Sequence, residues 1–304
     1  MGRALLEQSL AILRALEAPG ELVFPLNYLA SGAYYSGDYE QANQLAEEAL
    51  RVSLACRDQH GVAVAQTVLG QIAYLVGRYE DARHYSRDSL AIERELGNRW
   101  GLVFTLVSLG RVDQALGAYE DAQRSFQEGL AIRLAFGDTR GTALCLNYLG
   151  DTAHALADFG EARRCYQESL ALFKEIGNQA GAATSLTKLG YNALALHEPG
   201  SAHVYFYDAL RTAWGAQAIP RALEAIAGVA ETLAADDPDR ARELASLVHH
   251  HPAATQESRD RTATILAHME SSATKNADAL VHEGDQARRL QAVVATLLRT
   301  EAQL

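Results

Sequence analysis

Apolar residues recur along this chain three or four positions apart, the spacing of amphipathic helices. One such series comprises Val62, Ala65, Leu69, Ile72, Ala73 and Val76. Gly77 predicts the end of this helix, because glycine adopts the left-handed conformation that terminates helices. A second apolar series, which reaches about Leu96, begins with Glu80 and Asp81, and acidic residues favour the positive start of a helix. Together the two series predict a helical hairpin with a first and a second helix.

The hairpin pattern repeats with a period of 40 residues. One position of the second helix is always leucine: Leu50, Leu90, Leu130, Leu170 and Leu210. A position of the first helix is likewise leucine: Leu29, Leu69, Leu109, Leu149 and Leu189. The latter leucine is followed four times by glycine, at Gly70, Gly110, Gly150 and Gly190, where we expect the two helices of a hairpin to approach closely. The register predicts a repeat protein whose hairpins bury their apolar faces against one another.

The two ends of the chain depart from the repeat. Leu10 lies in the register of a second helix, so residues 1–18 predict the second half of a truncated upstream repeat. We expect a solenoid of about six repeats over residues 22–252 and capping helices over residues 253–304. The last helix carries an apolar stripe of Leu290, Val293, Val294, Leu297 and Leu298. A docking or dimerisation helix is the alternative interpretation of that stripe.

The Leu-Gly pair, the turn Gly-x-Tyr-Glu-x-Ala and an aromatic residue four positions later resemble the tetratricopeptide repeat. The period of 40 residues is longer than the usual 34 or so and is similar to that of kinesin light chains. The resemblance implies an all-α fold, a right-handed superhelix (α-solenoid) of antiparallel helix hairpins.

A weaker resemblance concerns residues 247–261, which look like the carboxyl end of bacterial STAND-type NTPase regulators. It implies a sensor region whose upstream NTPase or effector module is missing from this chain. The sequence contains no Gly-x-x-x-x-Gly-Lys-Ser/Thr loop, which excludes nucleotide binding by that route.

In tetratricopeptide superhelices the first helices line a concave groove, and the resemblance implies which positions face it. The candidate peptide-binding residues are Asn27, Tyr28, Ser31, Tyr34, Thr67, Gln71, Tyr74, Val107, Arg111, Gln114, Asn147, Tyr148, Asp151, His154, Thr187 and Tyr191. The amides can pair with a peptide backbone in both directions, and the tyrosines offer rigid apolar area with a polar tip. Arg111 is expected to hold a carboxylate or, alternatively, to pair with Asp151 or Asp113.

Candidates for catalysis or metal binding are few. His249, His250 and His251 are adjacent at a helix end and therefore point in different directions. Asp151 and His154 lie one turn apart without a nucleophile, which favours a hydrogen bond in the groove over acid–base chemistry. We expect no catalytic residues, no metal and no cofactor.

Composition narrows the class of partner. A net charge of −11 argues against nucleic-acid and anionic-membrane binding. Three cysteines without metal-ligand spacing suggest a reducing cytoplasm. We therefore expect a non-catalytic scaffold that binds a peptide or protein segment, as the ligand-sensing repeat domain of a larger bacterial signalling or transcription regulator. A self-associating structural or oligomerisation module is the alternative.

Overall fold

The computed structural model describes residues 2–270 and 283–301, and every regular element within these ranges is an α-helix. The helices are α1 (Gly2–Ala15), α2 (Pro19–Tyr35), α3 (Tyr39–Cys56), α4 (Gln59–Leu75), α5 (Tyr79–Glu95), α6 (Arg99–Ala115), α7 (Tyr119–Phe136), α8 (Thr139–Ala155), α9 (Phe159–Glu175), α10 (Gln179–Ala195), α11 (Pro199–Gly215), α12 (Ile219–Leu233), α13 (Pro238–His250), α14 (Gln256–Glu270) and α15 (Glu283–Glu301). Part of the region 253–304, where capping helices are expected, lies outside the described residues. The helices divide into two compact units, Met1–Thr152 and Ala153–Leu304.

In the first unit, first and second helices alternate as the repeat predicts. The first helices α2, α4 and α6 each pack against the second helix that follows them, α3, α5 and α7. Successive first helices also contact one another, α2 with α4 and α4 with α6, and α1 packs against α2. The expected all-α solenoid of stacked helix hairpins is therefore confirmed.

Local sequence explains where the helices begin and end. The Asp58 carboxylate accepts a hydrogen bond from the amide of Gly61 and so caps α4, and Asn98 caps α6 in the same way through Gly101. Gly77 connects α4 to α5 with a φ of +76°, a conformation that suits glycine. These signals set the short turns, Gly77 within a hairpin and Asp58 and Asn98 between successive hairpins.

The glycine after the repeated leucine makes room for the second helix. At Gly70 a Cβ atom would lie 3.4 Å from the carbonyl oxygen of Ala82, so the backbones themselves are close. At Gly110 a Cβ atom would lie 2.6 Å from the ring of Phe126, which is fully buried. Burying one such ring stabilises the fold by roughly 1.5–3 kcal/mol, and the glycine provides the space for it.

The second unit continues the pattern through α9 to α13 and ends with α14 and α15. α14 packs against α12 and α13, and α15 contacts α11. The α15 side chains Leu290, Val293, Val294 and Leu297 are buried in the same core as residues of α11, α12 and α13. The apolar stripe of α15 is thus covered within the unit. The domain boundaries expected from the sequence stay predictions.

None of the helices in the described part of the chain is long and apolar enough to cross a membrane.

Candidate functional site

A groove of about 770 Å³ runs over the first helices of the first unit, α2, α4 and α6. We call it the first-unit groove. Its lining includes five large aromatic side chains, Phe24, Tyr28, Tyr35, Trp100 and Phe104. Phe24 is 66 % exposed, Tyr28 61 % and Trp100 52 %. Exposed apolar surface gathered in one place marks an interaction site more often than single exposed residues do.

Helical spacing places these rings together. Phe24, Tyr28 and Tyr35 follow one another at four and seven residues, so they share one face of α2. The rings of Phe24 and Tyr28 have their centres 5.4 Å apart, and those of Trp100 and Phe104 lie 5.6 Å apart, edge to face. These contacts hold the aromatic walls of the groove in defined positions.

Four of the polar residues that the sequence assigns to the groove, Asn27, Ser31, Thr67 and Gln71, do line it. Asn27 is buried, and its amide donates to the Gly61 carbonyl oxygen at 3.1 Å, which ties α2 to α4. The Thr67 hydroxyl donates to the carbonyl oxygen of Ala63 at 2.9 Å. Asn27 and Thr67 therefore also support the helix packing beneath the groove.

Glu93 lines the same groove, although the sequence analysis did not single it out. It projects from the second helix α5 and is only 2 % exposed. A Cβ atom at residue 101 would overlap its carboxyl group, so Gly101 makes space for it. The side chain of Asn98 lies within hydrogen-bonding reach of the carboxyl, whereas Oε2 has no hydrogen-bond partner among the residues that the structure describes. Burial raises the pKa of Glu93 above its ordinary value.

The repeat position of Glu93 carries a different residue in each hairpin: Ser53, Glu93, Arg133, Phe173 and Ala213. Many other positions of the repeat keep one residue type, so the variation at this position is the sequence signal that could have identified Glu93.

Arg111 lies in a cluster of tyrosines. Its guanidinium carbon is 4.5 Å from the centre of the Tyr74 ring, and the phenols of Tyr34 and Tyr148 also act on it. A cation stacked on a ring in this way is stabilised by roughly 0.5–2 kcal/mol. Asp113, one of the alternative partners, forms an ion pair with Arg83 at 3.2 Å. The cluster brings together four of the residues predicted from the sequence.

The other predicted residues of the first unit pack against its helices. Gln114 donates to the carbonyl oxygen of Tyr148 at 3.2 Å and to the Thr152 hydroxyl at 2.8 Å. Tyr148 stacks on Phe126 with ring centres 5.1 Å apart. Asn147 is buried, and Val107 and Asp151 are half-buried. None of these three lines the first-unit groove.

The predicted residues of the second unit are covered by its own side chains. Arg261 of α14 places its guanidinium carbon 3.8 Å from the centre of the Tyr191 ring. Tyr191 also packs against Phe206 at 4.9 Å, and burial raises its pKa. Thr187 is buried and donates to the carbonyl oxygen of Ala183. The ring of His154 contacts that of Phe159 at 5.1 Å. Of the predicted site residues, Asn27, Tyr28, Ser31, Thr67 and Gln71 line the first-unit groove, and a peptide-binding role of the whole set stays a prediction.

The remaining candidates for chemistry do not converge. The three adjacent histidines bond to different backbone groups, His249 to Arg259, His250 to Ser246 and His251 to Ala253. Within residues 2–270 and 283–301, no three His, Cys, Asp or Glu side chains are grouped so as to hold a metal ion.

The cysteine thiols are free. Burial raises the pKa of Cys145 to about 11 and that of Cys165 to about 12. Both thiols are therefore protonated at neutral pH and are poor nucleophiles.

A sequence model of the tetratricopeptide repeat matches the chain at residues 21–95, 61–135, 101–175 and 141–213, which together cover more than half of it. The chain belongs to the tetratricopeptide repeat family. Similar solved structures agree with that assignment. One is a Signal Transduction ATPase with Numerous Domains (STAND) protein with a tetratricopeptide repeat sensor from Pyrococcus horikoshii, with a TM-score of 0.65 and 17 % identity. The match covers 93 % of this chain and 43 % of that one.

Two further structures place the chain among tetratricopeptide solenoids. The nearly identical TPR-like repeats of a kinesin light chain candidate from Podosopora anserina match 66 % of this chain and 99 % of their own, with a TM-score of 0.55 and 17 % identity. A Rap protein complexed with Competence and Sporulation Factor matches 92 % of this chain and 80 % of its own, with a TM-score of 0.66 and 14 % identity. No curated protein sequence matches the chain. At these identities the likeness shows the fold alone.

Proposed function

We propose that this chain is a non-catalytic scaffold that binds an extended peptide or protein segment in the first-unit groove. The observation that carries the proposal is the set of exposed aromatic rings gathered on the first helices, around a cavity of about 770 Å³. Aromatic side chains give large contact areas at a low entropic cost, and they dominate peptide- and protein-binding surfaces.

The similar Rap structure supports this proposal in kind, since that protein is complexed with Competence and Sporulation Factor. The polar groups that line the groove include the amide of Gln71 and the hydroxyl of Ser31. Both can bond to a peptide backbone.

We further propose that the chain acts as the sensing part of a larger bacterial regulator in the cytoplasm. Support comes from the STAND protein, in which this chain matches 43 % of the length and a tetratricopeptide repeat sensor is named. Free thiols suit a reducing compartment. Binding would act by favouring one arrangement of stacked hairpins over another, which an attached module reads.

Self-association through α15 receives no support from the packing. Its apolar side chains Leu290, Val293, Val294 and Leu297 are buried in the core of the second unit. A dimer formed through that stripe would require the helix to leave its own core.

A positional scan of synthetic ten-residue peptides tests the proposed function. The full chain is compared with the Tyr28→Ala/Trp100→Ala double variant and with the control Leu54→Ala/Leu134→Ala, whose leucines are 60 % and 61 % exposed on second helices. We expect the wild type and the control to select the same peptides and the groove variant to lose them. Selection that survives the groove variant would disprove the site, and a wild type that selects no peptide would disprove the function.

A further inference from the structure

We propose that the first-unit groove receives a lysine or arginine side chain of the bound peptide, with the Glu93 carboxylate as its counter-ion. The inference rests on the proposed peptide-binding function and adds the chemistry of one side-chain subsite within the groove.

Glu93 is buried in the wall of the groove. Its side chain is 2 % exposed, and Oε2 has no hydrogen-bond partner within residues 2–270 and 283–301. A buried carboxylate that lacks a partner destabilises the folded state. A ligand can supply the hydrogen-bond donor that Oε2 lacks. A cationic side chain supplies both a donor and the charge opposite to that of the carboxylate.

In the next hairpin, the charged residue at the repeat position of Glu93 has an oppositely charged partner within the protein. Arg133 occupies the same repeat position as Glu93 and forms an ion pair with Asp138 in the turn that follows α7. The residue that corresponds to Asp138 in the turn after α5 is Asn98. A neutral amide stands there in place of an opposite charge. The charge of His60, which also lines the groove, lowers the pKa of Glu93, but Oε2 has no hydrogen-bond partner among the described residues.

Aromatic side chains line the groove beside Glu93. Trp100 and Phe104 line the groove together with Glu93, and Phe24 lines it from α2. Rings attract cations placed over their faces, and the methylene stem of a lysine or arginine packs well on apolar surface. Phe104 already has a guanidinium over its ring, that of Arg133 at 5.7 Å. A ligand cation would meet the same kind of surface.

The charge of the groove favours a cationic ligand. Apart from the phenols of Tyr28 and Tyr35, the ionisable side chains of the lining are the carboxylates of Glu21, Asp58 and Glu93 and the imidazole of His60. The chain as a whole carries a net charge of −11. A cationic segment is drawn to such a surface and an acidic one is repelled. The electrostatics and the unpartnered oxygen therefore select the same ligand chemistry.

The test uses the peptide scan with three full-length proteins: wild type, Glu93→Gln, and Glu95→Gln as the control. Glu95 lies on the same helix and is exposed. We expect the wild type and the control to require lysine or arginine at one peptide position and Glu93→Gln to accept neutral residues there. For the best arginine peptide, replacing arginine by its neutral isostere citrulline should weaken wild-type binding by about ten- to a hundredfold. The same replacement should leave the affinity of Glu93→Gln nearly unchanged, as a double-mutant cycle requires.

The outcomes separate the two proposals. Selected peptides without a preferred cation, or a cation preference that Glu93→Gln retains, would overturn the role of Glu93 and leave the peptide-binding function intact. A wild type that binds no peptide would overturn both. The citrulline comparison on wild-type protein keeps the proposal falsifiable even if the Glu93→Gln variant fails to fold, because an arginine peptide that binds no more tightly than its citrulline analogue would overturn it.

Discussion

The burial of Glu93 leads to a prediction about stability that needs no ligand. Its folded-state pKa is raised by burial, so the folded chain holds this proton more tightly than the unfolded chain does. The stabilisation that the proton provides is fully present below the ordinary glutamate pKa and is lost as the pH rises through the raised pKa. At neutral pH the wild type therefore carries the cost of a buried carboxylate, whereas Glu93→Gln does not.

The size of the effect follows from the contacts. One carboxylate oxygen is within reach of Asn98, and the other has no partner in the described part of the chain. An unsatisfied buried group costs roughly 1–3 kcal/mol, and more when it is charged. The glutamine amide still has unmet hydrogen bonds of its own, so we expect a net gain of about 1 kcal/mol for Glu93→Gln at pH 8. For a unit of this size that gain raises the midpoint of thermal unfolding by roughly 2–4 °C.

Thermal unfolding followed by circular dichroism at pH 4 and at pH 8 measures this effect. Glu95→Gln is the control, because its carboxylate is exposed. The gain of Glu93→Gln over wild type should be present at pH 8 and shrink towards zero at pH 4, and the control should show no such trend. A variant that is less stable than wild type at pH 8 would refute the reasoning, since Glu93 would then be held by a cation of the protein itself.

Two further predictions concern packing and accessibility. Gly190→Ala should destabilise the second unit by roughly 1–3 kcal/mol, because its Cβ atom would lie 2.6 Å from the buried ring of Phe206. Gly200→Ala is the control, since its Cβ atom would have no neighbouring atom within 4 Å. Equal thermal unfolding midpoints for the two variants would contradict the packing at Gly190. In maleimide labelling at pH 7.5 followed by peptide mapping, exposed Cys56 should react at least about a hundredfold faster than buried Cys145, whose pKa is raised to about 11; similar rates would contradict the burial of Cys145.

The helices of the repeats follow from periodicity alone. The first helix expected from Val62 to Val76 is observed as Gln59–Leu75, and the second helix expected from Glu80 to about Leu96 as Tyr79–Glu95. Each repeat carries its own turn and cap signals, so a helix boundary that is unclear in one copy can be assigned from the same positions in the other copies. The fold is therefore largely predictable from the pattern of the repeats.

The candidate site was less predictable, for reasons that lie in the neighbouring hairpins. Positions carried over from the family motif found Tyr28 and Gln71 but not Phe24, Trp100 or Phe104, which lie nearer the start of the first helices. Glu93 can be buried because Gly101, in the next hairpin, leaves space for its carboxyl group. The sequence of α5 alone predicts an ordinary amphipathic helix and does not indicate that Glu93 is buried.

The covered state of Tyr191 likewise depends on a contact that no repeat position encodes. Arg261 reaches its ring from α14, a helix that follows the repeats and does not keep their register. Side chains that meet across hairpins are set by packing, which the pattern of a single helix does not contain.

Hydrogen–deuterium exchange of the chain, with and without the best peptide of the scan, tests the central claim most directly. Ligand binding stabilises the elements that it contacts and slows exchange there. The account predicts slower exchange in α2, α4 and α6, with α3 and α7 unchanged. Protection confined to the second helices, or to the second unit alone, would contradict the assignment of the first-unit groove as the binding site.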